Sequence, residues 1–348
     1  MNTRLQSLVY GALLAVIVGW VLYIGKAVWV PVIFGAVMVY VIVGVTHALG
    51  RAPVVGSVLP LQIRYVLSVL IIGCAVLAIG YLVIAHKDKV IALAPQYQET
   101  LLAAIQKVAV WFRIETEPTW ATLRQDMLAR INLQLLLGSV VASVSSIAVS
   151  LVVVLLYAVF LLVEQHSFAA KVANISDDPR SVVRISGIID DINRRIGSYL
   201  ALKTFISILL GAISWLFMVA FGLEFAAFWA VLIALLNFVP YVGSVLGVLF
   251  PAIMAIVQFN DPAVLLSLLL ALAAAQFLIG NFLDPYVMGN SLNLSPFAIL
   301  VSLAIWSELW GVAGAFLAVP ITAILVIVLS EFPGSRPIAV LLSRNGRL

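Results

Sequence analysis

Charge is scarce in this 348-residue chain. Only 10% of its side chains are charged and 64% are apolar, against roughly 25% and 45–50% in soluble globular proteins. Soluble, disordered and collagenous classes are excluded. There is one cysteine, Cys74, so no intrachain disulfide can form and a disulfide scaffold is excluded too. Lying in the apolar run from Leu61 to Ala85, it reads as a small buried hydrophobe. No G-x-x-x-x-G-K-[ST] run occurs, since Gly25 and Lys26 are followed by Ala27, so the chain is not expected to hydrolyse ATP. His47, His86 and His166 lie far apart without an H-E-x-x-H pair, which leaves no metal centre to expect. No G-x-S-x-G elbow is present, and the Ser-rich stretch expected as the fourth span has no nearby Lys or His to activate a hydroxyl. Neither an enzyme nor a cofactor protein is expected.

What the chain has in quantity is long apolar runs, near the roughly 20 residues that cross a hydrocarbon core. The sequence predicts an all-α integral membrane protein. Its first three spans are expected at 7–25, 28–47 and 61–85, within an N-terminal block 1–85. The stretch from Leu8 to Ile24 is long for a signal peptide and lacks a small-x-small cleavage signal before Lys26, so it reads as a retained span. Residues 86–134 are polar, with six basic and five acidic side chains. Leu101, Ile105, Val108 and Phe112 repeat there at helical spacing, predicting an amphipathic extramembrane helix. A fourth span follows at 135–163, where Ser139, Ser143, Ser145, Ser146 and Ser150 suit close helix packing. The connection 164–203 is polar again. Asp178 before Pro179 predicts a capped helix start, Asp190 with Arg194 and Asp191 with Arg195 are spaced as i,i+4 pairs, and Ile185, Ile188, Ile192, Ile196 and Tyr199 form the apolar stripe. Residues 204–335 form a C-terminal module with apolar runs at 204–221, 225–259, 263–283 and 297–331, and 336–348 form a tail. The runs 225–259 and 297–331 are too long for one span, and each is interrupted by Pro or Gly, so each is two short helices or a broken hairpin. Phe228 and Phe297 precede Pro251 and Pro320 by the same interval, as in inverted repeats or by chance.

With the N-terminus inside, twelve basic residues fall on the cytoplasmic side and seven outside, favouring cytoplasmic termini by the positive-inside rule. The net charge of +4 follows from this bias, without a nucleic-acid partner. The most informative feature is an asymmetry. Residues 204–335 contain no Lys, Arg or His, yet hold five carboxylates: Glu224, Asp261, Asp284, Glu308 and Glu331. An ionised carboxylate at mid-bilayer costs about 2.5–3.5 kcal/mol on insertion scales, so protons or cations are the expected counter-charge. Glu224, Asp261 and Glu331 lie at run ends and read as loop anchors. Asp284, before Pro285, and Glu308, between Trp306 and Trp310, are the candidates for ion coupling, although tryptophans can equally mark a membrane interface. A second constellation is Asn237-Phe238-Val239-Pro240-Tyr241-Val242-Gly243-Ser244, where a broken helix exposes backbone dipoles beside neutral polar groups. Such a site suits a polar uncharged solute; a simple tight turn is the alternative.

The stretch Tyr199–Thr204, the 237–244 run, Gly280-Asn281-Phe282-Leu283-Asp284-Pro285-Tyr286-Val287-Met288-Gly289 and the closing Gly311, Gly314, Val319, Pro320 and Thr322 resemble, in order and spacing, the autoinducer-2 exporter family of bacterial transporters. Pro95-Gln96-Tyr97 fits as well, and the resemblance covers nearly the whole chain. It implies about eight transmembrane helices with broken or re-entrant segments, a homo-oligomer of pentameric form, and export driven by protons or sodium across the bacterial inner membrane. In the best-studied branch the solute is autoinducer-2, a small, highly hydroxylated quorum-sensing signal, while other members resemble sodium/proton antiporters; a passive oligomeric channel is a further alternative. Carried onto this sequence, Asn237, Tyr241, Ser244 and Asn281 line the solute site and Asp284 carries the coupling charge, a position where the family also admits Glu. Glu308 rests on its physics alone. Pro240, Gly243, Pro285, Gly289 and Pro320 set hinges or helix breaks.

Overall fold

The computed structural model describes residues 3–51, 58–82, 85, 133–174, 178–259, 261–288 and 292–346. The expected amphipathic helix around Leu101 to Phe112, the Pro95-Gln96-Tyr97 element and Gly289 lie outside these residues. The fold is all-α: α1 (Thr3–Ile24), α2 (Lys26–Arg51), α3 (Leu61–Leu82), α4 (Leu133–Ala173), α5 (Pro179–Ala220), α6 (Ala226–Leu236), α7 (Val242–Gln258), α8 (Pro262–Leu278), a π-helical turn (Ile279–Leu283), α9 (Asp284–Met288), α10 (Pro296–Trp310), α11 (Val312–Ser330) and α12 (Arg336–Leu342). Among the described residues, five stretches are long and apolar enough to cross a membrane: 26–51, 61–82, 179–220, 262–287 and 312–330. Large apolar side chains such as Leu77, Phe160, Ile208, Leu270 and Phe297 are exposed, as a bilayer solvent permits. Cys74 is among the exposed residues, so the buried role expected for it is corrected: its position on α3 turns it out of the packed interior.

Residue contacts divide the chain into two compact units, one made of 1–73, 150–202 and 290–348, the other of 74–149 and 203–289. In the first unit, buried hydroxyls join α2 to α3. Thr46 Oγ1 lies 2.8 Å from Ser68 Oγ, which donates to the Arg64 carbonyl at 2.8 Å, a pairing that satisfies both groups without water. Tyr40 on α2 donates to Asn193 Oδ1 on α5 at 2.7 Å.

The start of α5 is set by its sequence: Pro179 occupies the first turn, while the Asp178 carboxylate accepts from the Arg180 amide at 3.1 Å and the Ser181 hydroxyl at 2.9 Å. These bonds, the hydroxyl first, hold the Asp178 carboxyl below its ordinary range. The helix then runs unbroken across residue 203 to Ala220. Asp191 pairs with Arg195 at 2.8 Å and also takes Arg194, so Arg194 turns to Asp191 rather than to the expected Asp190.

The run 297–331 resolves as a hairpin. Gly311 joins α10 to α11 at φ 63° and ψ −140°, a conformation open to glycine. A β-carbon on Gly314 would lie 1.7 Å from the Trp306 carbonyl oxygen, so glycine there lets the arms close. Trp306 donates to Thr322 Oγ1 at 3.2 Å and Trp310 to the Leu22 carbonyl at 2.9 Å. Both indole N–H groups are used inside the unit, where α10 meets α11 and α1. Beyond α12, the Ser295 amide donates to Leu342 at 2.9 Å and the Arg344 amide to Asn293 at 3.0 Å, which fastens the tail to the start of α10.

The second unit is organised around Trp229, Phe228, Ile233, Met254, Leu268 and Leu272, all buried. The run 225–259 is also a hairpin. Trp229 stacks on Phe250 with centroids 6.4 Å apart, Gly247 faces Ile233, and a β-carbon on Gly243 would lie 1.8 Å from the Leu236 carbonyl oxygen. These pairs step outward from Pro240, the pattern of antiparallel arms. Gly211 on α5 likewise leaves room for the Ala230 carbonyl of α6, 3.0 Å from where a β-carbon would stand. Asp261 caps α8 by accepting from the Ala263 amide at 2.8 Å. The equal Phe-to-Pro intervals thus fall on two helical hairpins, one in each unit.

Two outcomes are expected. Gly314→Ala lowers the melting temperature of the detergent-solubilised protein by several degrees, whereas Gly187→Ala, where a β-carbon meets nothing within 4 Å, leaves it unchanged or raises it. Because the Asp178 carboxyl is lowered on folding, its contribution is complete above the unfolded value and is lost as pH falls through the folded one. Melting temperature measured against pH should therefore fall less on the acid side in Asp178→Ala than in the parent.

Candidate functional site

The site begins with a proline. Pro285 has no N–H to give the Asn281 carbonyl, and its ring crowds that carbonyl. The helix widens just before it into the π-helical turn, in which the Asp284 amide donates to the Ile279 carbonyl. Such bulges place an extra residue in the turn and recur at functional sites. Here the bulge ends on Asp284.

Asp284 is not alone. The ammonium of Lys203, on α5, lies 2.8 Å from Asp284 Oδ2, with the two side chains 9% and 19% exposed. The expectation that free protons or cations supply the counter-charge is corrected: the partner comes from the residue just before the stretch that lacks basic side chains. Glu331 is similarly met from outside that stretch, by Arg184 at 3.8 Å. The other oxygen, Asp284 Oδ1, is buried without a hydrogen-bond partner among the described residues. Asp284 is thus half satisfied, with one oxygen on an ammonium and the other open to a donor.

One turn further along α5 stands Ser207, 2% exposed, whose Oγ accepts from Asn237 Nδ2 at 3.0 Å. Lys203 and Ser207 are spaced i,i+4, on one face and about 6 Å apart along the helix. A single face of α5 therefore holds both sequence motifs, the π-helical turn through Lys203 and the hairpin turn through Ser207. Lys203 lies within the Tyr199–Thr204 stretch but had no role assigned from sequence, and Ser207 stood outside every motif. The available signal was positional: Lys203 is the last basic residue before 204–335, and Ser207 and Gly211 continue its face at four-residue steps.

The turn after Asn237 is strained. Tyr241 has φ 61° and ψ −55°, and the Val242 amide donates back to the Pro240 carbonyl at 2.6 Å, the rare form of three-residue turn with positive φ. For a bulky residue this costs on the order of 1–3 kcal/mol. The turn holds the Tyr241 side chain outward, 53% exposed. Ser244 donates to the Tyr241 carbonyl at 2.8 Å and Asn281 to the Phe277 carbonyl at 3.1 Å, so each bonds its own segment. Among the expected solute residues, Asn237 is buried and held by Ser207, whereas Tyr241 and Asn281 are exposed. Glu308 is exposed on α10, in the other unit. Pro240 lies in the strained turn, Pro320 is buried within α11, and Gly243 permits the closest approach in its hairpin.

These broken apolar helices, with a charge pair at one of the breaks, have counterparts among known proteins. A family model described as "AI-2E family transporter" matches residues 11–334, and the chain belongs to that family. It is 30% identical to the "AI-2 transport protein TqsA" of Escherichia coli K12 over 283 residues, 80% of this chain and 79% of that protein. It is 28% identical to "Putative transport protein YhhT" of the same strain over 286 residues, 81% of this chain and 79% of that one. A Borreliella burgdorferi protein named "Putative transport protein" is 37% identical over 194 residues, 56% of this chain and 53% of that protein. The chain therefore matches about half the length of the Borreliella protein and about four fifths of the two from E. coli. A multi-pass membrane protein of a bacterial transporter family is the class that fold and comparison define.

Four variants check this geometry. Asn237→Ala and Ser207→Ala each lose about 1–2 kcal/mol of stability, and the double variant loses clearly less than their sum, as thermal unfolding in detergent would register. Tyr241→Gly removes the strain at this position and raises the melting temperature.

Proposed function

We propose that this protein is a secondary transporter that uses an ion gradient to export a small polar signalling metabolite, autoinducer-2 first among candidates, across the bacterial inner membrane. The observation that carries this reading is Asp284: a half-satisfied carboxylate at a proline-induced break in an apolar helix, where an ionisable group faces a high cost unless it serves a pathway. The relative named for AI-2 transport supports the choice of solute. Tyr241, Ser244 and Asn281 offer neutral hydrogen-bonding groups to a hydroxylated molecule, and Asn237 fixes the hairpin turn that presents the first two.

In this proposal the termini are cytoplasmic, by the excess of basic residues on that side, and the short arms of α6 and α7 re-enter rather than cross. At about 16 Å, α6 reaches only half of a roughly 30 Å hydrocarbon core. The extensive exposed apolar surface is shared between lipid and further copies of the chain in a homo-oligomer. Asp284 is the coupling residue; the exposed position of Glu308 leaves it a lesser candidate.

The test is uptake of autoinducer-2 into proteoliposomes with imposed gradients. The proposal expects saturable uptake that follows an ion gradient and falls at least tenfold in folded Asp284→Asn protein. Uptake that is linear in solute and insensitive to any gradient identifies a passive channel. Exchange of sodium for protons without movement of autoinducer-2 identifies an antiporter. Undiminished gradient-driven uptake by Asp284→Asn overturns the coupling assignment.

A further inference from the structure

The ion pair on α5 bears on which ion couples to transport, a question that the presence of a carboxylate alone leaves open. A sodium site is built from several oxygen ligands, carboxylate and freed carbonyls together. At Asp284 the position nearest the carboxylate is already taken by a cation, with Lys203 Nζ 2.8 Å from Oδ2. A sodium ion bound to the remaining oxygen would stand beside a fixed positive charge in a region of low dielectric, where repulsion between like charges is least screened. A proton has no such requirement. It needs one lone pair, and Oδ1 is buried with none of its lone pairs engaged among the described residues.

The groups around the pair favour the same ion. α5 presents Lys203 and the Ser207 hydroxyl to this site, and Ser207 Oγ accepts from Asn237. Along α8, the π-helical turn and α9, the other ionisable side chains are Asp261, at the far end of α8, and Tyr286, which is 88% exposed. The hairpin contributes Tyr241, which is turned outward. No second carboxylate faces Asp284 among these elements to help assemble a metal ligand set.

We propose that Lys203 is the residue that selects the coupling ion: its ammonium occupies the cation position at Asp284 and leaves the carboxylate open to a proton but closed to sodium. This inference rests on the secondary-transport reading. In the paired state Asp284 is ionised and Lys203 is its counter-charge. A proton entering from one side binds Oδ1, the carboxyl becomes neutral, and Lys203 loses its counter-charge. The π-helical turn, freed from α5, then shifts. When the proton leaves to the opposite side, the carboxylate re-forms and recaptures the ammonium. One proton is carried per cycle and no other species is consumed. Ser207 sits one turn along the same face, so a change in α5 at Lys203 is felt at Asn237 and at the strained turn it anchors.

The experiment uses the full-length protein in proteoliposomes and measures three fluxes: autoinducer-2, protons by an internal pH dye, and radiolabelled sodium. Parent protein is expected to move solute with a proton gradient, at a rate that sodium does not change. Lys203→Arg keeps proton coupling at reduced rate. Lys203→Gln loses proton-driven solute movement at least tenfold and gains sodium-dependent flux, because the vacated cation position now lies open. Should Lys203→Gln fail to fold, as melting temperature in detergent will reveal, the neutral pair Lys203→Gln with Asp284→Asn takes its place; its residual solute flux should be independent of both ions. Proton-driven transport that persists in Lys203→Gln or in the neutral pair overturns the inference, as would sodium-driven transport by the parent. Both of those results leave the transporter reading standing. Parent protein that moves no solute and exchanges no ion sinks the transporter reading itself.

Discussion

A carboxylate placed within an apolar helix must find a partner, and among the described residues the partner of Asp284 is Lys203. Lys203 meets Asp284 at 2.8 Å, and the rest of the second unit is arranged so that it can. The π-helical turn forced by Pro285 aims the carboxylate. The unbroken course of α5 through residue 203 carries the ammonium into the apolar interior. Removing one member of a buried pair costs on the order of 3–5 kcal/mol, because the survivor stays charged and unpaired. The pair is nonetheless incomplete, since Oδ1 has no donor among the described residues. A fully satisfied ion pair would be a strut. A half-satisfied one leaves an oxygen open to a donor.

Glycine performs the complementary task. Where α6 returns as α7 and where α10 returns as α11, the backbones come so close that a β-carbon on Gly243 or Gly314 would fall within 2 Å of a carbonyl oxygen. Without a hydrophobic effect between helices in lipid, such close approach is how membrane helices gain packing energy. The two hairpins differ at their tips. Gly311 closes one at a conformation natural to glycine, whereas Tyr241 closes the other under strain. That strain is stored next to Asn237, which is tied through Ser207 to the same face of α5 as the ion pair.

Much of this was legible in the sequence, and the gaps have physical reasons. The helical class, the broken runs, the cap at Asp178 and Pro179 and the break at Pro285 follow from local rules: apolar length, capping chemistry and the missing proline N–H. What local rules do not reach is pairing between distant segments. Lys203 and Asp284 are 81 residues apart, and the lysine stands just outside the stretch 204–335 that lacks basic residues, so sequence alone shows the carboxylate no counter-charge. Trp306 and Trp310 show the same limit: a tryptophan at the membrane interface and one donating to Thr322 or to the Leu22 carbonyl look identical in sequence. Cys74 erred in the other direction, because in a bilayer an apolar run has an outward face as apolar as its inward one.

In the proposal above, Asp284 is a lysine-paired carboxylate that takes up a proton. The most direct measurement is an infrared difference spectrum of the protein in lipid between neutral and acid pH. A protonated-carboxyl band is expected that disappears in Asp284→Asn and shifts in Lys203→Gln, since the ammonium sets its surroundings. A spectrum unchanged by Asp284→Asn, or an Asp284 band indifferent to Lys203→Gln, would contradict it.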